Sequence, residues 1–160
     1  MKKILNSAIF ITICQSAGLI GTAFTMQSIP TWYASLNKPS FTPPNWLFGP
    51  AWLTLYTLMG ISISLIWKNR NNPSKSEEAK SATTLFFIHL FLNAIWTPVF
   101  FGAKLVFPAF IIIVAIAVFI IVLMIKFWKI NKIASYLLIP YLLWVSFASA
   151  LNFAVWILNR

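Results

Sequence analysis

The chain has 160 residues, of which 60% are hydrophobic, 17% aromatic and only 9% charged, with a formal net charge of +10. Soluble domains carry about 25% charged residues. A soluble protein of this size could not hide so much apolar surface, so the composition excludes that class and points to an integral membrane protein. The cations sit in short loops beside apolar stretches. There they fit attraction to anionic lipid and control of topology, and no nucleic-acid partner is expected. The single cysteine, Cys14, excludes an internal disulfide and a zinc cluster and reads as inert packing.

Five long apolar stretches predict an all-α bundle of five transmembrane helices, one domain over residues 1–160. The first span covers about residues 4–29. Lys2 and Lys3 precede it in the manner of a signal peptide, yet the stretch exceeds the usual h-region of about 7–15 residues. It also runs on into Gln15, Ser16, Ala17, Gly18, Gly21 and Thr22, which suit close helix packing, so a retained helix is expected.

Residues 30–46 form a long loop rich in proline and aromatic residues. Pro30, Pro39, Pro43 and Pro44 rule out a single helix, because proline lacks an N–H and clashes with the preceding turn. Trp32, Tyr33, Phe41 and Trp46 make the loop too aromatic for a solvated linker, and it reads as a semi-rigid lid folded back on the bundle. The second span, 47–67, tolerates Pro50 in its first turn. Residues 68–82 carry the only two acids, Glu77 and Glu78, and read as a solvated connection. The third span, 83–101, holds His89, Asn93 and Trp96. The fourth, 106–127, is almost pure Ile, Val, Ala and Phe and should face lipid widely. The fifth, 134–157, contains Pro140, which is expected to remove one helix hydrogen bond that neighbours compensate.

With five spans, nine of the twelve Lys and Arg residues fall on the side of the N-terminus and the second and fourth loops. Only Lys38, Lys104 and Arg160 fall on the other. The positive-inside rule then places the N-terminus in the cytoplasm and the 30–46 loop and the C-terminus on the outer side.

Residues at i, i+3, i+4 and i+7 share a helix face. Trp52 and Tyr56 line one face of the second span beneath the loop, His89, Asn93 and Trp96 one face of the third, and Trp144, Ala148 and Asn152 one face of the fifth. These faces converge at a depth that permits one aromatic cavity with a few amide and hydroxyl groups, suited to a large, flat, mostly apolar ligand. For Trp52, Trp96 and Trp144 the pattern leaves pocket wall and helix packing equally open, and Asn93 and Asn152 can equally be interhelical glue. The lone His89 reads as a satisfied core group rather than a metal ligand, and no metal site is expected. Paired carboxylates, a phosphate-binding glycine loop, HExxH and a Ser–His–acid set are all missing, so no catalytic residue is assigned from motifs.

The segment TWYASLNKPSFTPPNWLFGPAWLTLYTLMG, followed in order by FLNAIWTPVFFGAK and LLIPYLLWVSFASALN, resembles the tryptophan-rich sensory protein family (TspO/MBR). The animal member of that family is the mitochondrial translocator protein, the peripheral-type benzodiazepine receptor. The resemblance covers essentially the whole chain. It implies a five-helix bundle, commonly a homodimer, that binds porphyrins such as protoporphyrin IX as ligands rather than as resident cofactors. Animal members also take cholesterol and isoquinoline or benzodiazepine drugs. Carried over by position, the family's pocket falls on Tyr33, Pro43, Trp52, Tyr56, Asn93, Trp96, Trp144 and Ala148. If bound porphyrin is degraded in light, as in some bacterial relatives, the implied residues are Trp52 and Trp144. A bacterial cell membrane is the implied location. Lys38 is the nearest candidate cation for porphyrin propionates. The sequence departs from the animal pattern at LNFAVWILNR, where Phe153 stands for the tyrosine of the cholesterol-recognition motif and Arg160 is too distant.

Overall fold

The computed structural model describes residues 2–160, with side chains from Leu5 onward. Met1 and the side chains of Lys2 and Lys3, two of the cations in the charge count, lie outside the described residues. Among the described residues the secondary structure is entirely helical: α1 (Lys2–Ser28), α2 (Trp32–Ser35), α3 (Phe48–Trp67), α4 (Ser76–Thr97), α5 (Val106–Ile130), α6 (Lys132–Tyr136) and α7 (Ile139–Leu158). Five segments of the described residues are long and apolar enough to cross a membrane: Leu5–Ser28, Asn45–Asn71, Ser76–Gly102, Val106–Ile130 and Lys132–Leu158.

The spans close into a ring. Helix α1 packs along α3 and touches α4; α4 packs on α5 and α5 on α7; α3 completes the ring through α6 and meets α7 only sparsely. Small residues allow the closest contact. A Cβ placed on Gly60 of α3 would stand 2.5 Å from the Ile11 Cα of α1, so only glycine permits this approach. Polar side chains then tie the pair. The Ser7 and Ser64 hydroxyls lie 2.9 Å apart, and Gln15 Nε2 donates to the Leu53 carbonyl at 2.9 Å and to Thr57 Oγ1 at 3.0 Å. In α5 the buried set Ala109, Ile113, Ile116, Ile120, Leu123 and Phe127 recurs every three or four residues, while Ile111, Val118, Ile121 and Ile125 are exposed toward lipid.

Three boundaries differ from the sequence-based expectation. Helix α4 begins at Ser76, inside the segment read as a solvated connection. Glu77 and Glu78 lie in its first turn, where the helix dipole favours negative charge, and Ala79 and Ala82 are already fully buried. Helix α5 runs on to Ile130 because Phe127 and Ile130 continue its buried stripe. The fifth span is broken at Leu137–Leu138, so Pro140 sits in the first turn of α7 rather than mid-helix. There its missing N–H leaves no intrahelical bond unmade. Ser62 Oγ donates to the Ala134 carbonyl at 2.7 Å, satisfying an acceptor of the short α6.

A further irregularity follows α4. Residues Pro98–Gly102 form one turn of wider π-type winding, with the Ala103 N–H donating to the Pro98 carbonyl at 2.8 Å. The proline cannot donate into the preceding turn, and the widened turn swings Phe100 and Phe101 toward the bundle interior.

Candidate functional site

The 30–46 segment is not featureless. Helix α2 supplies one turn, and Tyr33 on it is only 4% exposed. Its ring packs on Phe100 and Phe101 at centroid distances of 6.3 and 5.6 Å. Burial raises the Tyr33 phenol above its ordinary pKa, so it is a neutral hydroxyl at physiological pH. Lys38 folds back so that Nζ donates to the carbonyls of Tyr33, Leu36 and Ala34 at 2.8, 2.9 and 3.2 Å, capping the short helix. The segment is anchored at its start and near its middle. Ser28 Oγ donates to the Phe101 carbonyl at 2.6 Å. At the far end of α7, Asn159 Oδ1 accepts from the Asn37 N–H at 2.9 Å while Asn159 Nδ2 donates to the Asn37 carbonyl at 2.8 Å. That side chain reads both backbone groups of one residue, as a neighbouring strand would.

Beneath this strap lies a cavity of about 360 Å³, within the range of about 300–1,000 Å³ typical of ligand sites. Tyr33 of α2, Trp52 and Tyr56 of α3, Trp96 of α4 and Trp144 and Ala148 of α7 all line it. Trp52 stacks on Tyr56 at 5.3 Å and 29°, and Trp96 stacks on Phe100 at 5.3 Å and 20°. Phe48 meets Trp144 edge to face at 6.0 Å. Flat rings thus face the cavity from several sides. Trp96 Nε1 donates to Asn152 Oδ1 at 3.4 Å, and Asn152 Nδ2 to the Val106 carbonyl at 2.9 Å, so one amide joins α4, α5 and α7.

Two of the expected residues fall elsewhere. Asn93 is buried behind the wall: it accepts from Tyr56 Oη at 2.6 Å and donates to Tyr141 Oη at 2.7 Å, which in turn lies 3.0 Å from His89 Nε2. It holds Tyr56 in place rather than facing the cavity. Pro43 lines a separate crevice between α3 and α7. Lys38 does not reach the cavity either, its ammonium being spent on carbonyls. Neither Lys, Arg, Asp, Glu nor His is among the described residues that line the cavity. The fourth span, expected to face lipid widely, contributes no side chain to it.

The residues sequence reasoning missed come mainly from α1. Gln15, Gly18, Gly21, Thr22 and Thr25 form one wall, joined by Phe100, Phe101 and Leu151. A Cβ on Gly18 would lie 2.6 Å from Tyr56 Cε2, so the glycine makes room for that ring. The small-residue spacing is the available signal, although by itself it points only to helix packing.

These features define a class: a five-span helical membrane protein with an aromatic, uncharged cavity in the bundle, covered by a loop strapped to the last helix. The chain belongs to the TspO/MBR family, whose family model matches residues 10–157. It is 43% identical over 157 residues to the tryptophan-rich protein TspO of Archaeoglobus fulgidus, covering 98% of this chain and 99% of that one. It is 36% identical to protein CrtK of Rhodobacter capsulatus, covering 95% and 91%. It is 35% identical to the human translocator protein, covering 91% and 85%.

Proposed function

We propose that the protein is a membrane receptor or carrier that binds porphyrins of the protoporphyrin IX type, and other flat apolar molecules such as isoquinoline or benzodiazepine drugs, in the cavity under the 30–46 loop. The observation that carries this reading is the convergence of rings from α2, α3, α4 and α7 on one cavity free of charged side chains. Stacking on such rings suits a planar macrocycle. Without a cation in the wall, the acidic side arms of a porphyrin stay at the rim, where Asn45 and Gly49 are exposed. The porphyrin is bound as a ligand, not as a resident cofactor. The name of the human relative, translocator protein, accords with a carrier. The working unit in this reading is a homodimer in a bacterial cell membrane, with the N-terminus cytoplasmic.

Titration of detergent-solubilised protein with protoporphyrin IX, followed by tryptophan quenching, tests it. Saturable quenching is expected, with affinity reduced by about tenfold or more, ~1.4 kcal/mol, in the Trp52→Ala/Trp144→Ala variant. Absence of saturation, or equal affinity in the variant, overturns the reading. A second reading, light-dependent breakdown of the bound porphyrin, is favoured by the presence of both Trp52 and Trp144 on the cavity wall. It requires a new absorbing product that forms only in light, and faster than in the Trp52→Phe and Trp144→Phe variants.

A further inference from the structure

Where α3 and α7 part, a second and more open crevice of about 690 Å³ faces away from the bundle. Three prolines from three segments stiffen it: Pro43 of the loop, Pro50 of α3 and Pro140 of α7. Its one hydroxyl, Thr54 Oγ1, already donates to the Pro50 carbonyl at 2.9 Å, so the lining has little to offer a polar ligand. On α7 the crevice falls around the middle of the Lys132–Leu158 span, where Leu143 is 66% exposed. On the other wall Leu47 and Pro50 stand at the start of the Asn45–Asn71 span and Pro43 in the loop, so the crevice runs from the end of one span down to hydrocarbon depth, the path of an acyl chain below its headgroup. We propose that this crevice is a binding site for the acyl chain of a membrane lipid.

The chemistry favours a lipid chain as the occupant. The lining gives a soluble peptide or polar metabolite almost no polar partner, and a preformed apolar groove in contact with hydrocarbon gains dispersion contacts when a chain fills it. The proline walls are rigid beforehand, so filling costs little protein ordering. Trp144 lines both the crevice and the ligand cavity, and a chain seated here packs on the partition between them. Trp144 Nε1 is buried without a hydrogen-bond partner, so packing rather than a polar tie positions that ring. The exposed face of α5, with Ile111, Val118 and Ile125, supplies the comparison: a lipid-facing surface outside both the crevice and the cavity. The site stands whichever ligand the cavity takes.

The test reconstitutes the full chain in bilayers doped with phosphatidylcholine carrying a mid-chain diazirine, followed by illumination and peptide mapping of adducts. Adducts are expected about fivefold more often on residues 47–55 and 140–147 than on 111–125. The Ala51→Phe variant, which fills the groove, should bring the ratio down toward one while adducts on α5 stay constant. Thr54→Phe repeats the test should Ala51→Phe fail to fold. Equal adduct density on crevice and α5 face in the wild-type protein, or enrichment that persists in a folded filling variant, overturns the proposal.

Discussion

Gly18 and Gly60 stand on the same contact between α1 and α3, and a methyl group added at each meets a different obstacle. At Gly60 the nearest atoms are the Ile11 backbone, Cα at 2.5 Å and N at 2.7 Å, which move only if the two helices separate. Gly60→Ala should therefore cost about 1–3 kcal/mol, the usual penalty of overpacking. At Gly18 the nearest atoms belong to the Tyr56 ring, which can turn at the expense of its 2.6 Å bond to Asn93. One interhelical hydrogen bond in a membrane protein is worth ~0.6 kcal/mol on average and at most ~1.7. Gly18→Ala should thus lower the melting temperature less than Gly60→Ala, yet, on the proposed function, weaken protoporphyrin IX binding more, because the displaced ring lines the cavity. Thermal melts in detergent beside ligand titrations check both. If the two variants shifted stability and affinity in the same proportion, Gly18 would be ordinary packing. Asn93→Leu follows the same logic: it leaves the cavity lining intact but releases Tyr56 and Tyr141, so its effect on affinity should be recovered in part when Tyr56 is already Phe.

At the scale of elements, the strap over the cavity is the part that moves if anything must open. Its polar hold on α7 rests on the paired bonds between Asn37 and Asn159, beside the Phe41–Phe147 ring contact. Asn159→Ala should speed amide exchange across residues 30–46 and accelerate ligand release, while α3 and α5 exchange as before. Unchanged exchange in the strap would show that its other contacts, the Tyr33 packing, the Ser28–Phe101 bond and the Phe41–Phe147 ring pair, suffice to keep it shut. Asn159→Asp retains the acceptor but loses the donor, and should fall between the two. The lid was legible in the sequence because proline forbids a helix and a run of Trp, Tyr and Phe argues against solvent. The latch was not, since nothing in an asparagine near the C-terminus marks a partner 122 positions away. Helical spacing found the faces of α3, α4 and α7. It could not tell that Asn93 points one layer behind Tyr56, because the two lie on different helices whose relative rotation only packing sets. Nor could it show that Gly18 and Gly21 serve as cavity wall and helix contact at once. The break before Pro140 was hidden by a hydropathy that stays high across Leu137–Leu138, where the local geometry and not the composition ends α6.

The whole molecule is a ring of five spans with its cations sorted to opposite ends. Lys68, Arg70, Lys75, Lys80, Lys126, Lys129 and Lys132 belong to the end away from the strap, where Lys75 Nζ caps the Ile130 carbonyl of α5 at 2.9 Å. Lys38, Lys104 and Arg160 belong to the strap end. Positive charge is retained on the cytoplasmic side during insertion, which predicts that the cavity and its strap face outward. The chain is well suited to a direct measurement, because its single cysteine, Cys14, is completely buried and should stay silent toward thiol reagents. Ser40 in the strap and Ser74 in the opposite loop are both exposed. A membrane-impermeant maleimide applied to intact cells should label the Ser40→Cys variant and leave Ser74→Cys unlabelled until the membrane is permeabilised. The reverse pattern would place the cavity mouth toward the cytoplasm, and with it the side from which an aqueous partner could exchange ligand. Labelling of both variants in intact cells would mean that two orientations coexist, and that a nine-to-three charge asymmetry is too weak to fix one for this bundle.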